Sequence, residues 1–223
     1  MAKNLYYYSR LFGLIIFLGV VSQRQTLGQS KKASSKPVVA PKWRQRPALT
    51  FADETAMRQA VFDSAARFVG MTERTNNNDA TWIAIINQSN GLPDRAHYCA
   101  SAFNYCHALN GIRLPVGDGI GMVRSYFSNA KTIIYRRNAR GNQRNTIKPK
   151  RMDAVSLFYS HIEGIAQDDF DPDEDDRVKC IGFNTTGGKG TKGGCYVNWR
   201  KTREIKLIAN LLSPYWQKLH PDK

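Results

Sequence analysis

The stretch HYCASAFNYCHALNG, residues 97–111, places a cysteine at the predicted start of a helix. The unpaired N–H groups and the positive dipole end of a first helical turn favour a thiolate over a thiol. Because the thiolate is the nucleophilic form of cysteine, Cys99 is a candidate nucleophile. Cys106 lies two turns further along the same predicted helix, where a small apolar core residue is the ordinary interpretation.

A cysteine nucleophile needs a base and a group that orients the base. Of the four histidines, His161 is the favoured base because it begins a predicted strand, SHIEGI, which is a rigid platform. Asn184 ends a later predicted strand before a glycine-rich loop, and we expect it to orient the imidazole from a neighbouring strand. Glu163 is a rival, since it lies two residues from His161 on the same face of the strand.

The elements that must position these residues fall into two groups along the chain. Helices are predicted within ADETAMRQAVFDSAARFVG, within ATWIAIINQSNG and over residues 97–109, with a short fourth helix over 119–128. Six β-rich runs follow, namely TIIYRR, AVSLFY, HIEGIA, VKCIGF, CYVNWR and IKLIANLL. Helices followed by strands predict an α+β domain in which the helices pack on an antiparallel sheet.

The N-terminal region has the layout of a secretory signal peptide over residues 1–28: basic residues, an apolar run at 11–21, then small residues. The apolar run is short for a membrane span, so an uncleaved anchor is the less favoured alternative. Residues 29–50 hold six basic residues and three prolines and predict a flexible basic linker. We therefore expect a secreted or periplasmic protein with a domain at 51–217, a tail at 218–223 and no transmembrane span after processing.

The charge of the chain predicts an anionic partner. It has 33 Lys and Arg against 18 Asp and Glu, a net charge of +15. Nucleic acid, anionic lipid and bacterial cell-wall polymers all fit, and export argues against an intracellular nucleic-acid role. The acidic run DDFDPDEDD, residues 168–176, predicts a solvated loop between two strands; a calcium site is the alternative, although the EF-hand spacing is missing.

Five segments, in order, resemble the CHAP group of peptidoglycan hydrolases, which belongs to the NlpC/P60-like branch of the papain-like superfamily. The match spans about residues 55–208. The sequence departs from the pattern at Tyr98, where tryptophan is usual, at Ser160, where glycine is usual, and at Gly182-Phe183, where Glu-Gly is usual. The five segments are GMTERTNNND, HYCASAFNYC, KPKRMDAVSLFY, SHIEGI and GFNTTGGKGTKGGCYVNWRKTR.

The resemblance implies a papain-like fold and an exported cysteine hydrolase that cuts amide bonds in peptidoglycan without a metal or cofactor. It implies a catalytic triad of Cys99, His161 and Asn184. We further expect substrate or oxyanion contacts from Asn77, Asn78 and Tyr98. The basic linker is expected to hold the protein near anionic cell-wall polymers.

Two other functions stay open at this point. One is a catalytically idle wall-binding module on the same fold. The other is a basic nucleic-acid-binding protein, which the lack of a recognised binding motif disfavours. The sequence also leaves open whether the hydrolase would be an N-acetylmuramoyl-L-alanine amidase or an endopeptidase of the stem or cross-bridge peptide.

Cys180 and Cys195 flank the segment that holds Asn184, in two predicted strands that we expect to pair. One interpretation is a disulfide between them, which an exported protein permits. Closing a loop of this size would stabilise the fold by about 3 kcal/mol in the chain-entropy description. The other interpretation is a pair of free, buried thiols.

Overall fold

The computed structural model describes residues 49–139 and 147–222, so the predicted signal peptide, residues 29–48 of the predicted linker and residues 140–146 lie outside the described residues. The described part contains four α-helices and one six-stranded antiparallel sheet, which confirms the α+β prediction. The strands lie in the order β1-β6-β2-β3-β4-β5. The helices are α1 (Glu54–Ala66), α2 (Thr81–Ser89), α3 (Cys99–Leu109) and α4 (Leu212–Leu219), and the strands are β1 (Ile133–Arg136), β2 (Ala154–Leu157), β3 (Ile162–Ile165), β4 (Arg177–Thr185), β5 (Gly194–Lys201) and β6 (Ile205–Ala209).

Helix α1 is fixed at its start and by one buried arginine. Asp53 precedes the helix, and its side chain accepts a hydrogen bond from the Ala56 N–H at 2.7 Å, which caps the first turn. Arg58 is buried and donates to Asp153 at 2.8 Å and to Asn210 at 2.9 Å. These contacts tie α1 to the residue before β2 and to the segment that leads into α4.

Helix α3 is the central helix, and almost all of its residues are buried. Polar contacts fix it against α2: Ser101 Oγ donates to Asn87 Oδ1 at 2.7 Å, and Asn104 Nδ2 donates to Asn90 Oδ1 at 2.9 Å. Phe103 of α3 packs over Gly164 of β3, and a Cβ at position 164 would lie 2.8 Å from the Met152 side chain. The start of α3, and with it the candidate nucleophile, is therefore held rigidly against β3.

The sheet has a second, smaller core on the face opposite these helices. Its centre includes Val155, Ile165, Cys180 and the fully buried Phe170. Phe170 belongs to the acidic run 168–176, which connects β3 and β4 as predicted, so this loop is anchored by its one aromatic side chain. Within the described residues, no group of three or more His, Cys, Asp or Glu side chains is arranged to hold a metal ion.

The structure differs from the predicted elements in two places. The predicted helix over 119–128 is instead two 3₁₀ turns, Gly117–Gly119 and Val123–Phe127. The last predicted strand stops at Ala209, and α4 then runs through the predicted domain end at 217. Pro214 lies in the first turn of α4, where a proline is tolerated because the N–H that it lacks would have no partner within the helix. No helix of residues 49–139 and 147–222 has the length and apolar character to cross a bilayer.

Of the two interpretations of Cys180 and Cys195, the structure has the second, in which both thiols are free and buried. Strands β4 and β5 do pair, but Cys180 lies opposite Asn198, and Cys195 lies opposite Phe183. The two cysteines are thus three positions out of register, about 10 Å along the strand, and an odd offset puts them on opposite faces of the sheet. A disulfide needs Cα atoms within about 7 Å.

Candidate active site

Cys99 is the first residue of α3, as predicted, and its side chain is 7% exposed. Tyr98 occupies the N-cap position, and no side chain within the described residues caps this helix. The first-turn N–H groups and the positive end of the helix dipole therefore act on the region of the Cys99 sulfur. A helix start is one of the settings in which proteins activate a cysteine as a nucleophile.

His161 lies directly before β3 and is 4% exposed, and the Cys99 side chain lies close enough to raise its pKa. Its Nε2 lies 3.1 Å from Glu163 Oε1, which leaves Nδ1 as the ring nitrogen for the thiol. Burial opposes protonation of the imidazole, but the interactions with Cys99 and Glu163 outweigh it and raise the pKa of His161 to about 9. At neutral pH the ring is therefore an imidazolium beside the sulfur.

Glu163 is 1% exposed and is held by a second cation, Arg200 of β5. Arg200 Nε donates to Glu163 Oε2 at 2.8 Å, and its Nη2 contacts the other carboxylate oxygen. The same Nη2 donates to Thr185 Oγ1 at 3.0 Å. Burial raises the pKa of Glu163, but the hydrogen bonds to Arg200 and His161 outweigh it, so the pKa lies below its usual range. The carboxylate stays ionised and fixes the imidazole.

Gly182 of β4 makes room for this carboxylate. It lies directly opposite Glu163 in the β3–β4 pair, and a Cβ at position 182 would lie 2.5 Å from Glu163 Oε1. In this chain, the facing strand supplies the carboxylate and the glycine leaves the space for it.

The predicted role of Asn184 is not supported by the geometry, and the orienting contact belongs to Glu163. The pairing of β4 with β5 shifts register between Phe183 and Thr185, and Asn184 has φ of 55°. A bulge of this kind re-aims the extra side chain. The Asn184 Nδ2 is accordingly directed to His97 Nδ1, at 3.3 Å, and not to His161.

The three residues predicted to contact substrate lie in different surroundings. Tyr98 is fully buried and donates its hydroxyl hydrogen to Glu73 Oε1 at 3.0 Å, so its side chain is engaged within the fold, and its predicted substrate or oxyanion contact stays a prediction. Asn77 is exposed, and the Asn78 backbone N–H donates to Glu73 Oε2 at 3.0 Å. Asn77 and Asn78 line an open groove of about 450 Å³ that also includes His97. The prediction that they contact substrate stays open.

Sequence reasoning missed Arg200 and Gly182. Arg200 faces Glu163 only because β5 pairs with β4 in one particular register, which the sequence pattern does not give. Gly182 did carry a signal, since a glycine inside a predicted strand often marks a close approach of another group.

Comparisons of the chain with protein-family models, with curated proteins and with solved structures found no match. The chemistry assigned to the site therefore depends on its own geometry. That geometry is a thiol at a helix start, close to a buried imidazole, which is held by an ionised carboxylate that an arginine binds in turn. Such a chain of groups is suited to nucleophilic attack by sulfur followed by proton transfer from the imidazolium.

Proposed function

We propose that this protein is a papain-like cysteine hydrolase that cuts amide bonds in bacterial peptidoglycan. The observation that carries the proposal is the buried His161, bonded to Glu163 and close enough to Cys99, the first residue of α3, for that thiol to raise its pKa. In this assignment, Cys99 is the nucleophile, His161 transfers protons, and Glu163 is a positioning residue for the imidazole. No step requires a metal or a cofactor.

The reaction follows from these roles. The Cys99 thiolate attacks the amide carbonyl carbon, and the negative charge that develops on oxygen is stabilised by the N–H groups at the start of α3. His161 gives its proton to the departing nitrogen as the C–N bond breaks, which leaves a thioester on Cys99 and a free amine. Water, deprotonated by His161, then attacks the thioester, releases the carboxylic acid and regenerates the thiolate–imidazolium pair.

The substrate class is supported by the ordered resemblance to CHAP hydrolases. The segments HYCASAFNYC and SHIEGI, which carry that resemblance, contribute the thiol and the imidazole that lie together in the fold. The basic composition is consistent with a substrate surrounded by anionic wall polymers. We also propose export by the signal-like residues 1–28 and retention near the wall by the basic linker.

Digestion of purified sacculi tests the proposal. Wild-type protein should release new amines, measured by a dye that reacts with primary amines, and Cys99→Ala should reduce the rate by at least about a thousandfold because it removes the nucleophile. Cys106→Ala is the matched control, since it deletes the same atom two turns along α3, in the core.

Retention of the wild-type rate by a folded Cys99→Ala variant would overturn the mechanism. Binding of wild-type protein to sacculi without amine release would instead favour the idle wall-binding module.

A further inference from the structure

Strand β5 forms one edge of the sheet, and only the beginning of that edge is covered. The strand order places β5 outermost, beside β4. Cys195 of β5 directs its backbone groups outward, where its N–H donates to the Met71 carbonyl at 3.0 Å and its C=O accepts from the Gly70 N–H at 2.9 Å. The residues before Gly70 form the turn that follows α1, so this cover ends at Cys195.

The edge is open from Val197 onward. Alternate residues of a strand direct their backbone groups to the same side, so the N–H and C=O groups of Val197 and Trp199 face outward as those of Cys195 do. These four groups have no hydrogen-bond partner within the part of the chain that the structure describes. Further along, the Lys201 N–H donates to Glu204 Oε2 at 3.0 Å. We call Val197–Lys201 the open edge, and its unpaired donors and acceptors are a template for another strand.

The side chains of the open edge are also unusual for a surface strand. Val197 is 42% exposed and Trp199 is 56% exposed, and neither belongs to a core cluster of the described residues. The Lys179 Nζ lies 5.1 Å from the centroid of the Trp199 ring, which still leaves more than half of that residue in water. A strand added beside β5 would cover both apolar side chains and recover the free energy of burying them.

Three exposed cations flank the open edge. Residues directly opposite each other on paired strands share a face, so Lys179 and Arg177 of β4 lie on the same face as Trp199 and Lys201 of β5. Arg177 is paired with Asp176 at 3.2 Å, whereas Lys179 and Lys201 form no ion pair within the described residues. An acidic partner complements this surface. A second copy of the chain would bring the same cations to it, and each copy has a net charge of +15.

We propose that the open edge binds an extended acidic segment of another protein, which pairs with β5 as a further antiparallel strand. Apolar side chains of that segment lie beside Val197 and Trp199, and an acidic side chain lies beside Lys201. A peptide is favoured over other polyanions because it offers N–H and C=O groups at the spacing of the strand. The side chain of Arg200, which holds Glu163, alternates to the other face, so this surface is separate from the candidate active site.

The probe for a test is the fluorescein-labelled peptide Thr-Glu-Thr-Val-Thr-Val, whose binding to the purified protein is followed by fluorescence anisotropy. In antiparallel register its glutamate lies opposite Lys201 and its valines lie opposite Trp199 and Val197. Saturable binding is expected. Methylation of the first valine nitrogen, whose N–H would donate to the Trp199 carbonyl, should weaken binding at least about tenfold. Methylation of the following threonine nitrogen, which faces away from β5, is the matched control and should change binding less than about threefold.

Variants of the protein test the side chains. Trp199→Ala should weaken binding of the probe at least about tenfold, because it removes the largest apolar contact of the open edge. Phe158→Ala is the matched control, since it removes a ring that is 59% exposed but lies in the loop from β2 to β3. Lys201→Glu should reverse the charge preference, so that a peptide with lysine in place of the glutamate binds more tightly than the probe. Circular dichroism establishes that each variant is folded.

Three results would overturn the inference. The first is the absence of saturable binding of the probe to wild-type protein. The second is equal affinity of the two methylated peptides, which would show that the surface attracts anions by charge alone and would favour a nucleic acid or another polyanion. The third is a wild-type dimer in analytical ultracentrifugation that Trp199→Ala converts to a monomer, since the open edge would then be an interface between two copies of this chain. The proposed function is independent of all three.

Discussion

Replacement of Glu163 by glutamine tests how the imidazole is oriented. Glutamine has nearly the same shape, and its side-chain oxygen can still accept from Arg200, so the fold should be retained. What is lost is the negative charge 3.1 Å from His161 Nε2. Because a neutral amide stabilises an imidazolium far less than a carboxylate does, the thiolate–imidazolium pair should become less populated.

The expected magnitude follows from the contact that changes. A hydrogen bond to a charged group contributes about 1.5–3 kcal/mol, and each 1.36 kcal/mol in the barrier changes the rate tenfold, so kcat should fall by roughly 10- to 150-fold. Asn184→Ala is the comparison, since its side chain is bonded to His97 and not to His161. It should change kcat by less than about threefold, within the range of surface substitutions.

The assay is sacculus hydrolysis as a function of pH, with circular dichroism to establish folding. The wild-type rate should fall as the pH rises through about 9, because His161 then loses the proton that the leaving amine needs. In Glu163→Gln this alkaline limb should move to lower pH, since a group that raises the pKa of His161 is gone. The reasoning is refuted if folded Asn184→Ala is the more damaging variant, or if Glu163→Gln leaves both kcat and the alkaline limb unchanged.

Three further substitutions test other parts of the structure. Gly182→Ala should displace the Glu163 carboxylate, because the added Cβ would lie 2.5 Å from it, and should lower sacculus hydrolysis at least about tenfold in a folded protein. His107 is buried, its Nε2 has no hydrogen-bond partner among the described residues, and burial lowers its pKa to about 4. As the pH falls from 6.5 to 4, wild type should therefore lose up to about 3 kcal/mol of unfolding free energy that His107→Leu keeps. In urea melts, the drop in unfolding free energy between pH 7 and pH 4 should be larger for wild type than for His107→Leu, and equal drops would contradict this. Arg58→Met should lower the free energy of unfolding by about 3–5 kcal/mol, because it leaves the buried Asp153 carboxylate without its cationic partner. A loss under about 1 kcal/mol in the same melts would show that the fold does not depend on this ion pair.

Local signals in the sequence were sufficient to predict the main elements and the positions of Cys99 and His161 in them. Cys99 was placed at a helix start by turn residues before it and apolar spacing after it, and His161 was placed before a strand by the β-rich run that follows. Both depend on residues close together in the chain, so patterns over ten or so positions carry the information. The six predicted strands all form for the same reason.

The differences at the site come from the register in which the strands pair, which sequence patterns over a few residues do not determine. Asn184 is predicted to face His161 from the neighbouring strand, but a bulge in β4 directs its side chain toward His97. Cys180 and Cys195 lie on paired strands yet on opposite faces, because their offset is an odd number of residues. The sequence indicated Glu163 as an alternative orienting residue only because it lies two residues from His161 on the same strand. Its partner Arg200 is 37 residues away in the chain, so the two could not be matched before the strand order was known.

The most direct test of the central claim is to titrate Cys99 itself. Wild-type protein is treated with limiting iodoacetamide at pH 6, and the modified fraction of each cysteine is measured by peptide mapping beside the remaining sacculus hydrolysis. Cys99 is 7% exposed and the other three cysteines are fully buried, so modification should be confined to Cys99. We predict that hydrolysis falls in direct proportion to the modified fraction of Cys99 and reaches zero when all of it is modified. Hydrolysis that persists after complete modification of Cys99 would contradict the account.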